Sequence, residues 1–201
     1  MNLKFQYNKT SLQNLDKQLK IRLRAMPTLK NKESALRMEV KNARKLNEEL
    51  GKKLEQTIRG EENNLRMWNE FDDSLLKIRD IKLSYRKIAG VKIPEPGEIM
   101  FSVRDYDLFN SPKWYPDGLE RLKELIRLTV EKQLMEKKYA LLEYARKKTT
   151  QKVNLYEKVQ IPAYENAIRR IKRYLEDEDN LARAAQKIVK TRKQKTVEAG
   201  L

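Results

Sequence analysis

Residues 152–171 read "KVNLYEKVQIPAYENAIRRI", and the fold turns on them. Val153, Tyr156, Val159, Ala163, Ala167 and Ile171 recur at helical spacing, one apolar stripe on an otherwise charged segment. Pro162 lies inside the stripe. A proline there removes one backbone hydrogen bond and clashes with the preceding turn, at a cost of about 3 kcal/mol. The helix either breaks near Gln160 or continues through a kink. Because the stripe resumes beyond Pro162 at similar spacing, the kink is the better reading. Pro27 poses the same question earlier in the chain and takes the same answer.

Outward from this segment the chain falls into three stretches. Residues 10–88 hold one proline, Pro27, and two glycines. Residues 117–195 hold one proline, Pro162, and one glycine, Gly118. Between them, residues 89–116 hold four of the six prolines and two glycines. The expected division is a first arm over 1–88, an insert over 89–116 and a second arm over 117–201.

The first arm carries a heptad-like line through Leu12, Leu15, Leu19, Met26, Leu29, Leu36, Val40 and Ala43, with Arg22 and Glu33 at skipped places. Leu46, Leu50, Leu54 and Ile58 follow at steps of four, a shift that locally unwinds a supercoil. Leu65, Trp68, Phe71, Leu75, Ile78 and Tyr85 extend the helical reading, and Thr10 or Ser11 is the expected cap. The second arm runs through Leu119, Leu122, Ile126, Val130, Leu134, Leu141 and Ala145, with Asp117 as cap. Residues 146–152 interrupt it before the quoted segment, and Leu175, Leu181, Ala185 and Ile188 complete it.

Each stripe is too narrow to be stable alone. Two matched arms joined by an insert satisfy each other by folding back. The expected fold is all-α: a long antiparallel two-helix coiled-coil hairpin. Unbroken, each arm of about 79 residues would reach roughly 120 Å at ~1.5 Å per residue. In the insert, Ile99, Phe101 and Val103 alternate like a half-buried strand, with PEPG (94–97) as a turn after VKI. A β-hairpin or a plain loop fits there.

Composition agrees. Charged residues make up 37% of the 201, aromatics 7% and apolar residues 39%, a balance typical of long helices. The net charge of +16, from 45 Lys and Arg against 29 Asp and Glu, favours an acidic partner. There is no cysteine and no histidine. That removes disulfides, thiolate chemistry, the usual neutral-pH acid–base group and most zinc chemistry. No apolar run nears the ~18 residues of a membrane span, and MNLKFQYNKT lacks a signal-peptide core, so a cytosolic chain is expected.

Catalytic, metal and cofactor sites are not expected. No phosphate-loop or dinucleotide motif occurs; LGKKLE (50–55) lacks the leading glycine. Glu176 to Asp179 are four consecutive helical acids that point in different directions, so they read as a solvated face or an interface with a basic partner rather than a cation site, and Asp72 and Asp73 are discounted in the same way. The basic run with Arg169, Arg170, Lys172, Arg173, Lys187, Lys190, Arg192, Lys193 and Lys195 admits a nucleic-acid reading. It lacks interleaved aromatics and any nucleic-acid fold signature. A basic coiled-coil nucleic-acid binder or scaffold is the alternative class.

The quoted segment, continued through KRYLEDED, resembles the D-subunit family of V-type and archaeal-type ATPases. That family carries R-V-N-A-L-E-x-V-x-I-P before I-x-x-I. Val153, Asn154, Glu157, Val159, Ile161 and Pro162 match, whereas Leu155 and Tyr156 stand where alanine and leucine are common. The N-terminal stripe is similar to the family's opening at Thr10, Leu15, Leu19, Leu29, Lys32 and Leu36; Pro27 departs from it. The insert matches in placement only.

The resemblance implies a non-catalytic central rotor shaft of a rotary ATPase, peripheral on the cytoplasmic face of the membrane. Implied partners are the catalytic and non-catalytic head subunits, the small F subunit of the stalk and the subunit that couples the stalk to the membrane ring. By that analogy Lys17, Lys20, Arg22, Arg24, Arg183, Lys187, Lys190 and Arg192 are head-contact candidates. Trp68, Phe71, Phe101, Tyr106 and Trp114 are stalk-contact candidates. Any single one of these can instead be a solvated charge or, for Trp68 and Phe71, a packing residue.

Overall fold

The computed structural model describes residues 3–107 and 111–198. In chain order it contains α1 (Lys9–Glu61), a 3-10 turn (Glu62–Asn64), α2 (Leu65–Trp68), a second 3-10 turn (Asp73–Leu75), β1 (Leu76–Ile88), β2 (Val91–Val103), α3 (Tyr115–Asn154), a π-helical turn (Leu155–Gln160) and α4 (Ile161–Glu198). The chain divides into two compact units, Met1–Asn31 with Thr150–Leu201, and Lys32–Thr149.

In the first unit α1 begins two or three residues earlier than its expected caps imply. Asn8, not Thr10 or Ser11, is the cap: its Oδ1 accepts from the Ser11 N–H at 2.7 Å. The segments of this unit run antiparallel. Tyr7 meets Tyr174 with ring centroids 5.0 Å apart, Arg22 meets Gln160, and Lys30 meets Glu157 at 2.7 Å. Met26 is buried on α1, and Val153, Tyr164, Ala167, Ile168 and Ile171 are buried opposite.

Helical structure runs through both interior prolines. Pro27 lies inside α1 without interrupting it. At Pro162 the compensation is visible: the six residues before Ile161 widen into a π turn, and the Ile161 N–H donates to the Tyr156 carbonyl, five residues back. Widening relieves the crowding that a proline ring imposes on the preceding turn. It also rotates the stripe. Val159, expected on the inner line, is exposed at 38%, whereas Gln160 is half-buried.

In the second unit the expected helix over 65–88 is not formed. Only Leu65–Trp68 is α-helical, and residues 76–88 form β1. The segment LKIRDIKLSYRKI is rich in β-branched and aromatic residues, and its backbone pairs with β2. Ile78 and Tyr85, counted in the helical stripe, are exposed. The strand therefore begins well before residue 89. At the other boundary α3 opens at Tyr115, so Asp117 lies in its first turn and is not its cap. Pro116 fits there because the first turn has no use for its missing N–H.

The insert does form a β-hairpin, with a different turn from the one expected. The chain reverses at Ala89-Gly90, where φ is +48° and +80°. Positive φ at both central residues matches the right-handed strand twist, which is why short hairpins use it. PEPG lies within β2. The two-residue loop makes Ile88–Val91 a hydrogen-bonded pair, so Tyr85–Pro94 and Leu83–Pro96 fall at non-bonded positions. Both prolines thus point their missing donors outward and cost no ladder bond. Gly97 sits at a register shift opposite Lys82, where an added Cβ would lie 2.4 Å from the Lys82 carbonyl oxygen.

Two apolar clusters hold this unit together. Leu36 and Ala43 of α1, Leu142 of α3 and Ile93 of β2 form one, with Val40, Ile88, Ala89, Val91, Met135, Tyr139 and Ala145 around them. Leu142, rather than the expected Leu141, faces in; Leu141 is 42% exposed. Beyond Ala43 the inward line follows Asn47, Leu50, Leu54 and Thr57, whereas Leu46 and Ile58 are exposed. The seven-residue repeat persists there, with polar residues occupying two of its inward places. The second cluster contains Leu75, Leu76, Tyr115 and Leu119, flanked by Phe71, Phe101, Tyr106, Trp114, Leu122 and Ile126.

Candidate interaction surfaces

The five stalk-contact candidates converge. Trp68, Phe71, Trp114 and Tyr115 form a continuous aromatic cluster with centroids 5.1–5.9 Å apart, mostly edge-on or tilted. Tyr106 stacks its edge on Tyr115 at 6.0 Å, and the Arg127 guanidinium lies 5.6 Å from the Phe101 ring. All five are half-buried, so each already packs against its own chain. The Tyr115 hydroxyl donates to the Glu70 carbonyl at 2.9 Å, which satisfies its polar end inside the cluster.

Glu61, which the sequence did not single out, anchors this region. Its carboxylate accepts from the Asn64 amide at 3.1 Å, the Trp68 indole N–H at 3.2 Å and the Arg121 guanidinium at 3.0 Å. The Asn64 hydrogen bond foremost, with Trp68 and Arg121 adding to it against burial, holds the carboxyl below its ordinary range. Trp114 stands close over Gly118, so near that an added Cβ would fall 2.7 Å from its ring. Gly118 was legible as a glycine in the first turn of a helix; that it yields space to an indole was not.

The head-contact candidates separate into two kinds. Lys17, Lys20, Arg24, Arg183, Lys187, Lys190 and Arg192 are exposed, with Lys20 paired to Asp16 at 2.7 Å. Arg22 is turned inward. Its Nε donates to Gln160 Oε1 at 2.6 Å, and its Nη1 donates to the carbonyl and side-chain oxygens of Gln18, both at 2.9 Å. Its guanidinium also covers the Tyr164 ring at 4.5 Å. These contacts engage Nε and Nη1 of the flat fork that an interface would need. The sequence signal was present: Arg22 stood at a skipped place in a seam, where a polar residue needs a partner.

Two other surfaces belong to the first unit. Leu3, Phe5, Lys158, Val159, Ala163, Asn166, Ala167 and Arg170 line an open groove of about 510 Å³. From residue 176 through 195 every side chain of α4 is exposed, Leu181 at 72%, Ile188 at 54% and Val189 at 52% among them. A helix that keeps its apolar stripe uncovered in its own fold has that stripe available to another molecule. Among the described residues no three His, Cys, Asp or Glu side chains are grouped to hold a metal ion. Among them, no helix is long and apolar enough to cross a membrane.

The sequence comparisons give these surfaces a context. The family described as the D subunit of ATP synthase matches residues 11–191. The V-type ATP synthase D subunit of Borreliella burgdorferi is 32% identical over 193 residues, which cover 94% of each chain. The V-type ATP synthase D subunit of Chlamydia pneumoniae is 29% identical over 169 residues, 81% of each chain. The match spans both long helical arms and the hairpin between them, and the chain belongs to the D-subunit family of ATP synthases.

Proposed function

We propose that this chain is the non-catalytic central shaft of a rotary V-type ATPase, a long antiparallel coiled coil that turns inside the catalytic head. In this reading it couples ATP hydrolysis or synthesis there to ion movement through the membrane ring. The observation that carries the reading is the family match over residues 11–191, both helical arms included. The uncovered end of α4 supports it, because Leu181, Ile188 and Val189 lie exposed on a helix with cations on its other faces. A helix of that design fits inside a collar formed by other chains.

A shaft transmits torque by stiffness and selects among catalytic sites by asymmetry. Paired helices supply the first. The π turn before Pro162 supplies the second, since a uniform rod would bias every site alike. The chain would act by differential contacts with open and closed catalytic sites, which is all that any binder needs to move such an equilibrium. Lys17, Lys20, Arg24, Arg183, Lys187, Lys190 and Arg192 are the proposed head-facing charges, with Arg22 bracing the helices behind them. The aromatic cluster of Trp68, Phe71, Phe101, Tyr106 and Trp114 is proposed to shape the surface that meets the small F subunit of the stalk and the subunit coupling it to the membrane ring. The complex would sit on the cytoplasmic face of the membrane.

The test is reconstitution of the ATPase in vesicles with and without this chain. Hydrolysis should persist in the isolated head, while ATP-driven ion uptake should require the chain. Uptake with the chain omitted would overturn the proposal. So would tight binding to duplex DNA at physiological salt together with failure to co-purify with head subunits.

A further inference from the structure

The two outer edges of the hairpin are not equivalent. The two-residue turn sets the phase of the ladder, so Ser84 and Arg86 direct their backbone groups toward β2. Leu83, Tyr85 and Lys87 direct theirs away from it. On β2 the corresponding outward places are Lys92, Pro94 and Pro96, and two of these have no N–H. One edge is therefore blocked by proline, a common defence against stray pairing. The other keeps its full set of donors and acceptors. Among the described residues, no backbone bond outside the hairpin involves Leu83, Tyr85 or Lys87. All three are exposed, Leu83 at 43% and Tyr85 at 57%.

We propose that the outer edge of β1 around Leu83, Tyr85 and Lys87 is a docking site for an extended, acidic segment of a partner protein, which adds to the hairpin as a third strand. Strand addition takes its affinity from main-chain bonds and its selectivity from the alternating side chains. Here the charge is one-sided. The hairpin carries six cations, Lys77, Arg79, Lys82, Arg86, Lys87 and Lys92, against three anions, Asp80, Glu95 and Glu98. Two of the anions are engaged within it, in the pairs Lys82–Glu98 and Arg86–Glu95 at 3.4 and 3.8 Å. A second copy of this chain would set cations against cations, so the same edge that invites an acidic strand repels itself. The site needs only the hairpin, so it stands apart from the shaft reading.

The probe is an alternating Glu-Val peptide of about eight residues, the length of an ordinary strand, with a Lys-Val peptide as its charge control. Amide hydrogen exchange is followed on the full chain. The Leu83, Tyr85 and Lys87 amides should exchange about tenfold more slowly with the Glu-Val peptide and be unaffected by the Lys-Val peptide. The double variant Leu83→Pro/Tyr85→Pro removes two outward donors and no ladder bond, and should abolish binding. Retained protection at Ser84 and Arg86 checks that the hairpin survives in it. If it does not, the triple variant Lys82→Glu/Arg86→Glu/Lys87→Glu decides, because it keeps the donors and should reverse the preference to the Lys-Val peptide. No protection by the Glu-Val peptide, equal protection by both, or protection that appears simply on concentrating the chain would overturn the proposal.

Discussion

Arg22 Nε and Gln160 Oε1 lie 2.6 Å apart, joining α1 to the π turn of the opposite segment. The pair exists because two sequence anomalies meet. An arginine interrupts the apolar seam of one helix, and Pro162 forces the other to widen, which turns Gln160 inward. Each feature offsets a cost of the other: an unpaired half-buried guanidinium is costly, and so is a wide turn with nothing packed against it.

Arg22→Met should destabilise the chain by about 2 kcal/mol, from the loss of charge-assisted hydrogen bonds and of the contact with Tyr164. Arg22→Lys should recover less than half of that, since an ammonium lacks the planar fork that reaches Gln18 and Gln160 while covering the ring. Urea unfolding monitored by circular dichroism measures both. Equal stability of the lysine variant and the native chain would contradict the account.

Pro162→Ala restores an N–H and removes the clash that widens the turn. Gln160 should then rotate away from α1. In a double-mutant cycle, Arg22 and Gln160 should couple by roughly 1 kcal/mol with proline at 162 and by less than about 0.5 kcal/mol with alanine there. Unchanged coupling would mean that packing, not the proline, holds the π turn open.

The glycines predict opposite signs. Gly97→Ala would force a Cβ to within 2.4 Å of the Lys82 carbonyl oxygen, so the hairpin must distort; a loss of about 1–3 kcal/mol is expected from such overpacking. Gly51 lies within α1 with nothing within 4 Å of its added Cβ. Gly51→Ala should therefore stabilise the chain by about 0.5–1 kcal/mol, the backbone entropy that glycine loses in a helix. Thermal melts of the two variants should move in opposite directions.

These cases mark what could be read from the chain alone. The arms were legible as far as their stripes kept one period: Met26, Leu36, Ala43, Leu119, Leu134, Val153, Ala167 and Ile171 are all buried as expected. Legibility failed where a second constraint changed the period. Ile78 and Tyr85 fitted a helical count by coincidence, because short apolar spacings of three and four also occur in strands. PEPG carried every mark of a turn, and only the ladder phase explains how two prolines sit in a strand. The contact candidates were harder still. Charge located Lys187 and Lys190 on a surface, and the seam position of Arg22 marked it as needing a partner, but Gln160 and Tyr164, which supply it, lie on a distant segment that no local pattern names.

Asn47 offers a different kind of test. Its Oδ1 is buried without a hydrogen-bond partner among the described residues, at an inward place of the α1 repeat. Asn47→Leu should raise stability by about 1–2 kcal/mol, since it removes an unsatisfied acceptor and adds apolar contact. A single buried asparagine in a seam also fixes register. The leucine variant should therefore melt higher yet less sharply, as alternative helix registers become competitive. A higher midpoint with undiminished cooperativity would remove the register role and leave only the energetic one.

Glu61 sets the pH dependence of the aromatic end. Hydrogen bonds from Asn64 and Trp68 and the charge of Arg121 favour its ionised form, so its folded pKa is depressed below the unfolded value. A depressed carboxyl binds fewer protons in the folded state than in the unfolded one, and stability must rise with pH across that interval. The contribution is fully present above the ordinary carboxylate value of about 4.3 and is lost as pH falls through the folded pKa. Glu61→Gln keeps an acceptor but no charge, so it should be less stable than the native chain at pH 7. The difference in melting temperature should shrink as pH falls below the ordinary carboxylate range toward the depressed folded pKa, where the native carboxyl takes up its proton. Arg121→Met should reproduce part of the deficit at pH 7, with Asn64 and Trp68 still donating. Melting temperatures of the three proteins from pH 3 to pH 7 measure this, and a gap that stays constant over that range would show that Glu61 acts there by shape alone.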